Sequence, residues 1–129
     1  MKNIIFTFIL IALIGCSQKD VINQNSQLIG KWKWVESSGG IDGRTETPES
    51  TGNAVIIEFT VSTMRKYVNE NLESEINYKT YLGPSIRTTQ NTDLIVYKNG
   101  TKQSMELYGN SLILFDECYD CFQHNYLKE

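Results

Sequence analysis

The feature that most constrains the fold is a two-residue hydrophobic period that begins at Leu28 and continues to Lys128. Successive side chains of a β-strand point to opposite faces, so this period predicts strands with one buried face. The clearest run is VIIEFTV, in which alternate residues from position 55 to 61 are apolar. Asn99-Gly100 is the clearest turn signal, since both residue types tolerate the positive φ of a tight hairpin.

The strand-like runs are separated by turn signals at intervals of roughly eight to twelve residues, which is typical of an all-β sandwich or barrel. They predict about eight to nine short strands and no helix. Closing the sheet on itself removes the exposed edges that make open sheets associate. We therefore predict an all-β fold, an antiparallel up-and-down β-barrel. Residues 37–53 are rich in Gly, Ser and Thr, and we expect them to form a long loop.

The interior of such a barrel is either filled by side chains or holds one small ligand. Its predicted inward-facing residues are bulky and favour a filled or nearly filled interior; they are Trp32, Trp34, Phe59, Met105, Leu112 and Leu114. Aromatic side chains suit a ligand site because they combine an apolar ring with, in tyrosine, a polar tip. The candidate ligand contacts are Trp34, Phe59, Tyr67, Tyr78, Tyr97 and His124. Any ligand is expected to be small and largely apolar, entering beside the 37–53 loop.

His124 is the only histidine in the chain, and it alternates in phase with Phe122 and Tyr126. This phase places it on the inner face, where a hydrogen-bonded core histidine is the simplest interpretation. A Ser-His-Asp hydrolase centred on His124 is a distant alternative, since no nucleophile-elbow pattern accompanies it. We expect no enzymatic activity, no cofactor and no bound metal.

Cys118 and Cys121 form a Cys-x-x-Cys sequence between two strand-like runs. A redox-active pair usually opens a helix, which these flanks do not predict. A zinc site needs four ligands, and His124 with a nearby carboxylate would complete one. In an exported protein, however, an even pair of cysteines favours a disulfide. The disulfide is our prediction, with the zinc and redox interpretations as alternatives.

The N-terminal residues 1–15 have a positive start at Lys2 and an apolar run too short to span a bilayer, which is typical of a secretory signal. Leu13-Ile14-Gly15-Cys16 resembles the lipobox of bacterial lipoproteins. That resemblance implies that Cys16 is lipidated and becomes the mature N-terminus. Residues 16–27, polar after Cys16, would then be the lipidated cysteine and a flexible tether, and residues 28–129 the folded domain.

The tripeptide Gly30-Lys31-Trp32 resembles the Gly-x-Trp signature of lipocalins. The whole region from Leu28 to Lys128 is similar to the small lipocalin-like domains of Bacteroidetes lipoproteins, in the motifs LIGKWKW, SGG, IEF, LILFD and YLK. The resemblance implies an antiparallel barrel that binds a small apolar ligand. Many lipocalins stack an arginine of the last strand on the tryptophan. Here Lys128 takes that place, so we expect Trp32 and Lys128 to close the barrel base.

The formal net charge of −3, with scattered basic residues, gives no electrostatic footprint for nucleic acid. Membrane attachment is expected through acyl chains alone. We therefore expect a monomeric domain anchored in the cell envelope, at the outer membrane. It would lie on either the periplasmic face or the cell-surface face. The predicted function is a binding module for a small apolar ligand. The alternative is a solid-core domain that contacts another envelope protein.

Overall fold

The structure, a computed structural model, describes residues 25–129. Within that range it contains two helices of four residues each and nine strands. In chain order they are α1 (Asn25–Leu28), β1 (Gly30–Gly39), β2 (Arg44–Glu46), α2 (Pro48–Thr51), β3 (Val55–Phe59), β4 (Thr63–Val68), β5 (Asn71–Ser85), β6 (Thr88–Tyr97), β7 (Lys102–Tyr108), β8 (Ser111–Asp116) and β9 (Phe122–Lys128). The predicted signal, the lipidation of Cys16 and most of the tether lie outside the described residues.

Eight antiparallel strands close into a barrel, and the short strand β2 pairs as an addition with the end of β1. The neighbours follow chain order from β1 through β3 to β9, and β9 returns to pair with β1. This closing pair runs from Trp32 opposite Lys128 to Gly39 opposite Phe122. The predicted all-β, up-and-down antiparallel barrel is confirmed.

The prediction of one long loop over residues 37–53 is wrong in part. β1 continues to Gly39 because its last residues pair with both β2 and β9. The turn of helix α2 follows, and it forms because Thr47 and Ser50 cap each other reciprocally while Pro48 occupies the first helical turn. The prediction of no helix is corrected by this turn and by α1, although neither exceeds four residues.

Strands β5 and β6 are longer than their sequence predicts. Gly83-Pro84 is a sequence that usually ends a strand, yet β5 continues to Ser85 and β6 begins at Thr88. The pairing register shifts between Pro84 and Ser85, so the proline lies at an irregularity where a strand tolerates it.

The barrel interior is filled by apolar side chains. All six bulky residues predicted to point inward belong to the buried core, which confirms that prediction; Leu28, Ile57, Tyr78, Ile95, Tyr97 and Tyr126 complete it. Phe59 packs edge-on against Tyr78, with ring centroids 5.2 Å apart. These side chains lie along the barrel axis, and the clefts described below lie at an end of the barrel and on its wall.

The tip of the β5–β6 hairpin packs on the outside of the barrel. Glu117 accepts hydrogen bonds from the Ser85 hydroxyl and the Ile86 backbone N–H. The Arg87 guanidinium lies over the ring of Phe115 and donates to Ser104, which is fully buried. These contacts fix the position of the chain that leaves β8.

Candidate functional site

The two ends of the barrel differ in chemistry. We call the end that carries the turns at 40–54, 69–70, 98–101 and 117–121 the mouth, and the end that holds Gly30 and Lys128 the base. The mouth carries a chain of hydrogen bonds between inward-facing polar side chains. The base carries a lysine over an indole ring.

The first part of the mouth network joins β1 to β9. The Trp34 indole N–H donates to Ser37 Oγ at 2.8 Å, and Ser37 Oγ lies 2.7 Å from His124 Nδ1. Because the indole nitrogen can only donate, the serine oxygen accepts from Trp34, and its own proton is free to donate to His124 Nδ1. In the neutral tautomer in which Nδ1 accepts from Ser37, the ring proton lies on Nε2.

The second part of the network surrounds Asp116 at the end of β8. His124 Nε2 lies 3.1 Å from one carboxylate oxygen, and Gln103 Nε2 donates to the other at 2.8 Å. Burial by itself would raise the pKa of Asp116, but the hydrogen bonds from His124, Gln103 and the Phe122 backbone outweigh it and hold that pKa below its ordinary value. Asp116 is therefore ionised at neutral pH.

The orientation of Gln103 is fixed by Tyr97. The Tyr97 hydroxyl donates to Gln103 Oε1 at 2.6 Å, which leaves the amide nitrogen to donate to Asp116. Burial raises the pKa of the Tyr97 phenol far above the physiological range, so this hydroxyl keeps its proton. The chain from Tyr97 to Asp116 is thus preorganised.

Ser37, His124 and Asp116 are the residue types of a serine hydrolase, but their arrangement differs from one. In the usual triad the serine bonds Nε2 and the aspartate bonds Nδ1, whereas here the two nitrogens are exchanged. Ser37 is only 5% exposed, and Trp34 already occupies its oxygen. The geometry orients Asp116 and does not present a nucleophile.

A cleft of about 790 Å³ opens beside this network. It forms because β5 changes partners: Asn71–Asn77 pair with β4, whereas pairing with β6 begins at Tyr78. The first half of β5 therefore faces the β6–β7 turn. The cleft is lined by Met64, Ser74, Glu75, Ile76, Tyr97, Asn99, Gly100, Thr101, Lys102, Gln103, Asp116, Glu117 and Cys118.

The cleft has an apolar floor and a polar wall. Met64 and Ile76 are half-buried and pack against the barrel core. Tyr97, Gln103 and Asp116 form the facing wall and carry the hydrogen-bond network. An apolar surface with a few fixed polar groups is the usual character of a small-molecule site.

The sequence candidates for ligand contact are placed very differently. Tyr97 alone of the six lines the mouth cleft. Trp34, Phe59 and Tyr78 are buried core residues, and His124 lies behind Asp116 in the network. Tyr67 pairs with Ile56, and both point to the outer face. Ile57, which follows Ile56 in β3, points inward and is buried.

Sequence reasoning missed the apolar floor of the cleft, Met64 and Ile76, and two residues of its polar wall, Gln103 and Asp116. For two of them a signal existed. Asp116 continues the inward phase of Leu112 and Leu114, and Gln103 precedes inward Met105 by two residues. A polar residue at an inward strand position is uncommon, since it must find hydrogen-bond partners.

Tyr78 and Tyr97 also border a smaller cleft of about 480 Å³, with Lys79 and Lys98 at its rim. It lacks the fixed network of buried polar groups found at the mouth. The mouth cleft is therefore the stronger candidate.

At the base, Lys128 lies with its ammonium 4.5 Å from the centroid of the Trp32 ring. It also donates to the carbonyl of Ile29 at 2.7 Å, while the Trp32 indole donates to Leu28 at 2.8 Å. Gly30 has a φ of +131°, and the stem and ammonium of Lys128 occupy the place that a side chain there would need. The Gly-x-Trp sequence thus has a physical reason in this barrel.

Cys118 and Cys121 form a disulfide, with Cα atoms 5.6 Å apart, which confirms that prediction. The bond leaves neither thiolate free for the zinc alternative. Within residues 25–129, no three histidine, cysteine or acidic side chains converge to hold a metal ion.

Comparison with protein-family models, with curated proteins and with solved structures finds no match. The resemblance to lipocalin-like lipoproteins therefore stays a prediction. In the part of the chain from residue 25 onward, neither short helix has the length or apolar character to cross a bilayer.

Proposed function

We propose that this protein is a non-catalytic binding module, which holds a small and largely apolar ligand in the mouth cleft. The observation that carries the proposal is the cleft itself. Its volume of about 790 Å³ exceeds the ~300 Å³ at which small-molecule sites begin. Its floor is apolar, and the polar groups of its wall are held in place before any ligand arrives.

The filled core limits the shape of the ligand. Trp32 and Phe59 are at most 1% exposed, so a long chain cannot thread along the barrel axis. The ligand lies across the mouth instead, with its apolar part against Met64 and Ile76. A compact molecule or a short chain fits this geometry.

The proposal places no chemical step at the site. Ser37 is shielded by the barrel wall and bonded to Trp34, and it does not line the cleft. A fluorophosphonate probe, which phosphonylates activated serines with loss of fluoride, should leave the protein unlabelled. Labelling that disappears in Ser37→Ala would instead support a hydrolase.

The domain is proposed to be a monomer anchored to the cell envelope through lipidated Cys16, at the outer membrane, facing the periplasm or the cell surface. Support comes from the signal-like residues 1–15, from the lipobox resemblance and from the disulfide, which persists in oxidising compartments. Radiolabelled palmitate should be incorporated into the wild-type protein and not into Cys16→Ser.

The binding proposal is tested first by native mass spectrometry of the protein purified from its own membrane. A co-purified small molecule is the expected result. The site is tested with octanol as a neutral probe, followed through the methyl resonances of Met64 and Ile76.

A blocking variant locates the probe. Ile76→Trp fills the cleft and should abolish octanol binding, whereas Val61→Trp introduces a tryptophan at a position that is 76% exposed and does not line the cleft. Equal loss of binding in both variants, or no binding to the wild type, contradicts the proposal.

A second candidate function is supported by the same filled interior: a solid-core domain that contacts an envelope protein. Ile41, in the turn that follows β1, is 94% exposed and presents an apolar side chain that a partner protein would cover. Cross-linking in intact cells should then capture a discrete partner with the wild type and not with Ile41→Ser. Ile41→Ser should leave octanol binding unchanged, which separates the two functions.

A further inference from the structure

Asp116 presents an ionised carboxylate at the mouth cleft. It continues the inward phase of β8, and its side chain is 31% exposed. It lines the cleft, opposite the apolar floor of Met64 and Ile76. A ligand with its apolar part on that floor would bring its head group to this carboxylate.

The carboxylate has fixed geometry and unused acceptor capacity. His124 and Gln103 each bond one oxygen, and the backbone N–H of Phe122 donates as well. A carboxylate has about four lone-pair sites, so one is left for a ligand. Because its protein partners already hold it, binding a donor there costs little further ordering.

Asp116 has no lysine or arginine partner among the described residues; its one ion-pair contact is with His124 at 3.1 Å. Lys102 is the one lysine or arginine that lines the cleft, and it is exposed, so solvent and salt screen its charge. The half-buried carboxylate is screened less.

The other two carboxylates of the cleft are engaged. Glu75 pairs with Arg65 at 2.5 Å, and Glu117 is held by the hydroxyl of Ser85 and the N–H of Ile86. Glu75 therefore has an arginine partner and Glu117 is bound to the β5–β6 hairpin, whereas Asp116 contacts only His124 among the basic side chains of the described residues.

We propose that the mouth cleft selects ligands with a cationic head, such as an ammonium group, and that Asp116 binds this head while the apolar part lies on Met64 and Ile76. The proposal rests on the binding function proposed above, since it names the ligand class of the same cleft.

The test compares three probes of equal chain length: octylammonium, octanol and octanoate. Each is added at pH 7 to the full mature chain. Affinities are measured by titration of the methyl resonance of Met64. A partly screened ion pair predicts that octylammonium binds about fivefold more tightly than octanol, and that octanoate binds more weakly than both. This comparison in the wild-type protein needs no variant to fold.

Two variants assign the preference to a residue. Asp116→Asn keeps the shape of the side chain and removes its charge. It should abolish the preference, so that octylammonium and octanol bind with about equal affinity. Asp120→Asn makes the same change in the neighbouring turn, outside the cleft, and asparagine tolerates the φ of +56° found there. It should leave the preference intact.

The outcomes separate the two proposals. Equal binding of octylammonium and octanol, a preference for octanoate, or a preference that survives in Asp116→Asn overturns the cationic selectivity and leaves the binding function standing. Failure of all three probes to bind overturns the binding function and the selectivity with it.

Discussion

Ser37 and His124 are hydrogen-bonded at 2.7 Å although 87 residues separate them in the chain. The bond exists because β9 closes the barrel against β1, where these two residues are direct partners in the register. Through Ser37 and His124 the hydrogen-bond network runs from Trp34 to Asp116, and so it connects the buried core to the candidate ligand site. The β1–β9 pairing that closes the barrel therefore also positions the side chains of the network.

Removal of the Ser37 hydroxyl should destabilise the fold. Ser37→Ala leaves the buried Trp34 N–H and His124 Nδ1 without their partner, which we expect to cost about 1 to 3 kcal/mol. Urea unfolding at pH 7 measures this loss in the free energy of unfolding. Ser38→Ala is the matched control, because Ser38 lies next in β1 and points to the other face. Similar losses in the two variants would contradict the network.

The contact between Lys128 and Trp32 should contribute measurably to stability. Lys128→Met keeps the apolar stem and removes the ammonium, which loses both the indole contact and the bond to Ile29. We expect a loss of about 1 to 2 kcal/mol in the free energy of unfolding. Lys33→Met, on the outer face of β1, should change little. An unchanged midpoint for Lys128→Met would show that the lysine does not close the base.

Because the pKa of Asp116 is lowered, the free energy of unfolding should depend on pH in the acid range. The folded pKa of Asp116 lies below the ordinary value of about 3.9 that applies in the unfolded chain. Between those two values the unfolded state binds more protons, so the stability contributed by Asp116 rises with pH. That contribution should be complete about one pH unit above the unfolded value, and it should be lost as pH falls through the folded pKa.

This dependence is measured by urea unfolding from pH 6 to acid in the wild type and in Asp116→Asn. Glu117 also has a lowered pKa, from hydrogen bonds that outweigh its burial, and it contributes in the same direction in both proteins. The difference between the two curves removes the contribution of Glu117 and reports Asp116 with its hydrogen-bonded partners. A difference that stays constant with pH would contradict the assignment.

Reduction of the Cys118–Cys121 disulfide should weaken the fold without dissolving it. The bond closes a loop of four residues, for which the chain-entropy model gives about 2 kcal/mol. Dithiothreitol should therefore lower the unfolding midpoint of the wild type and leave Cys118→Ser/Cys121→Ser unaffected. Mass spectrometry of unreduced, exported protein that finds two free thiols would contradict the disulfide.

Much of the barrel follows from local pattern. The inward phase of Trp32 and Trp34, the alternation over Val55–Phe59 and the strands Ser111–Asp116 and Phe122–Lys128 agree with the sequence, because the two-residue period depends only on backbone geometry. The extension of β5 through Gly83-Pro84 was not predictable, since its pairing with β6 supplies the energy that overrides the local turn signal.

The sequence by itself determined the fold class, the filled core and the pairing of two cysteines, since hydrophobic period, side-chain volume and close spacing are local properties. Only the tertiary structure decided the site. The cleft arises where β5 changes partners, and Asp116 is held by His124 and Gln103 from two other strands. Contacts between distant strands depend on register and barrel closure, which no local window of residues contains.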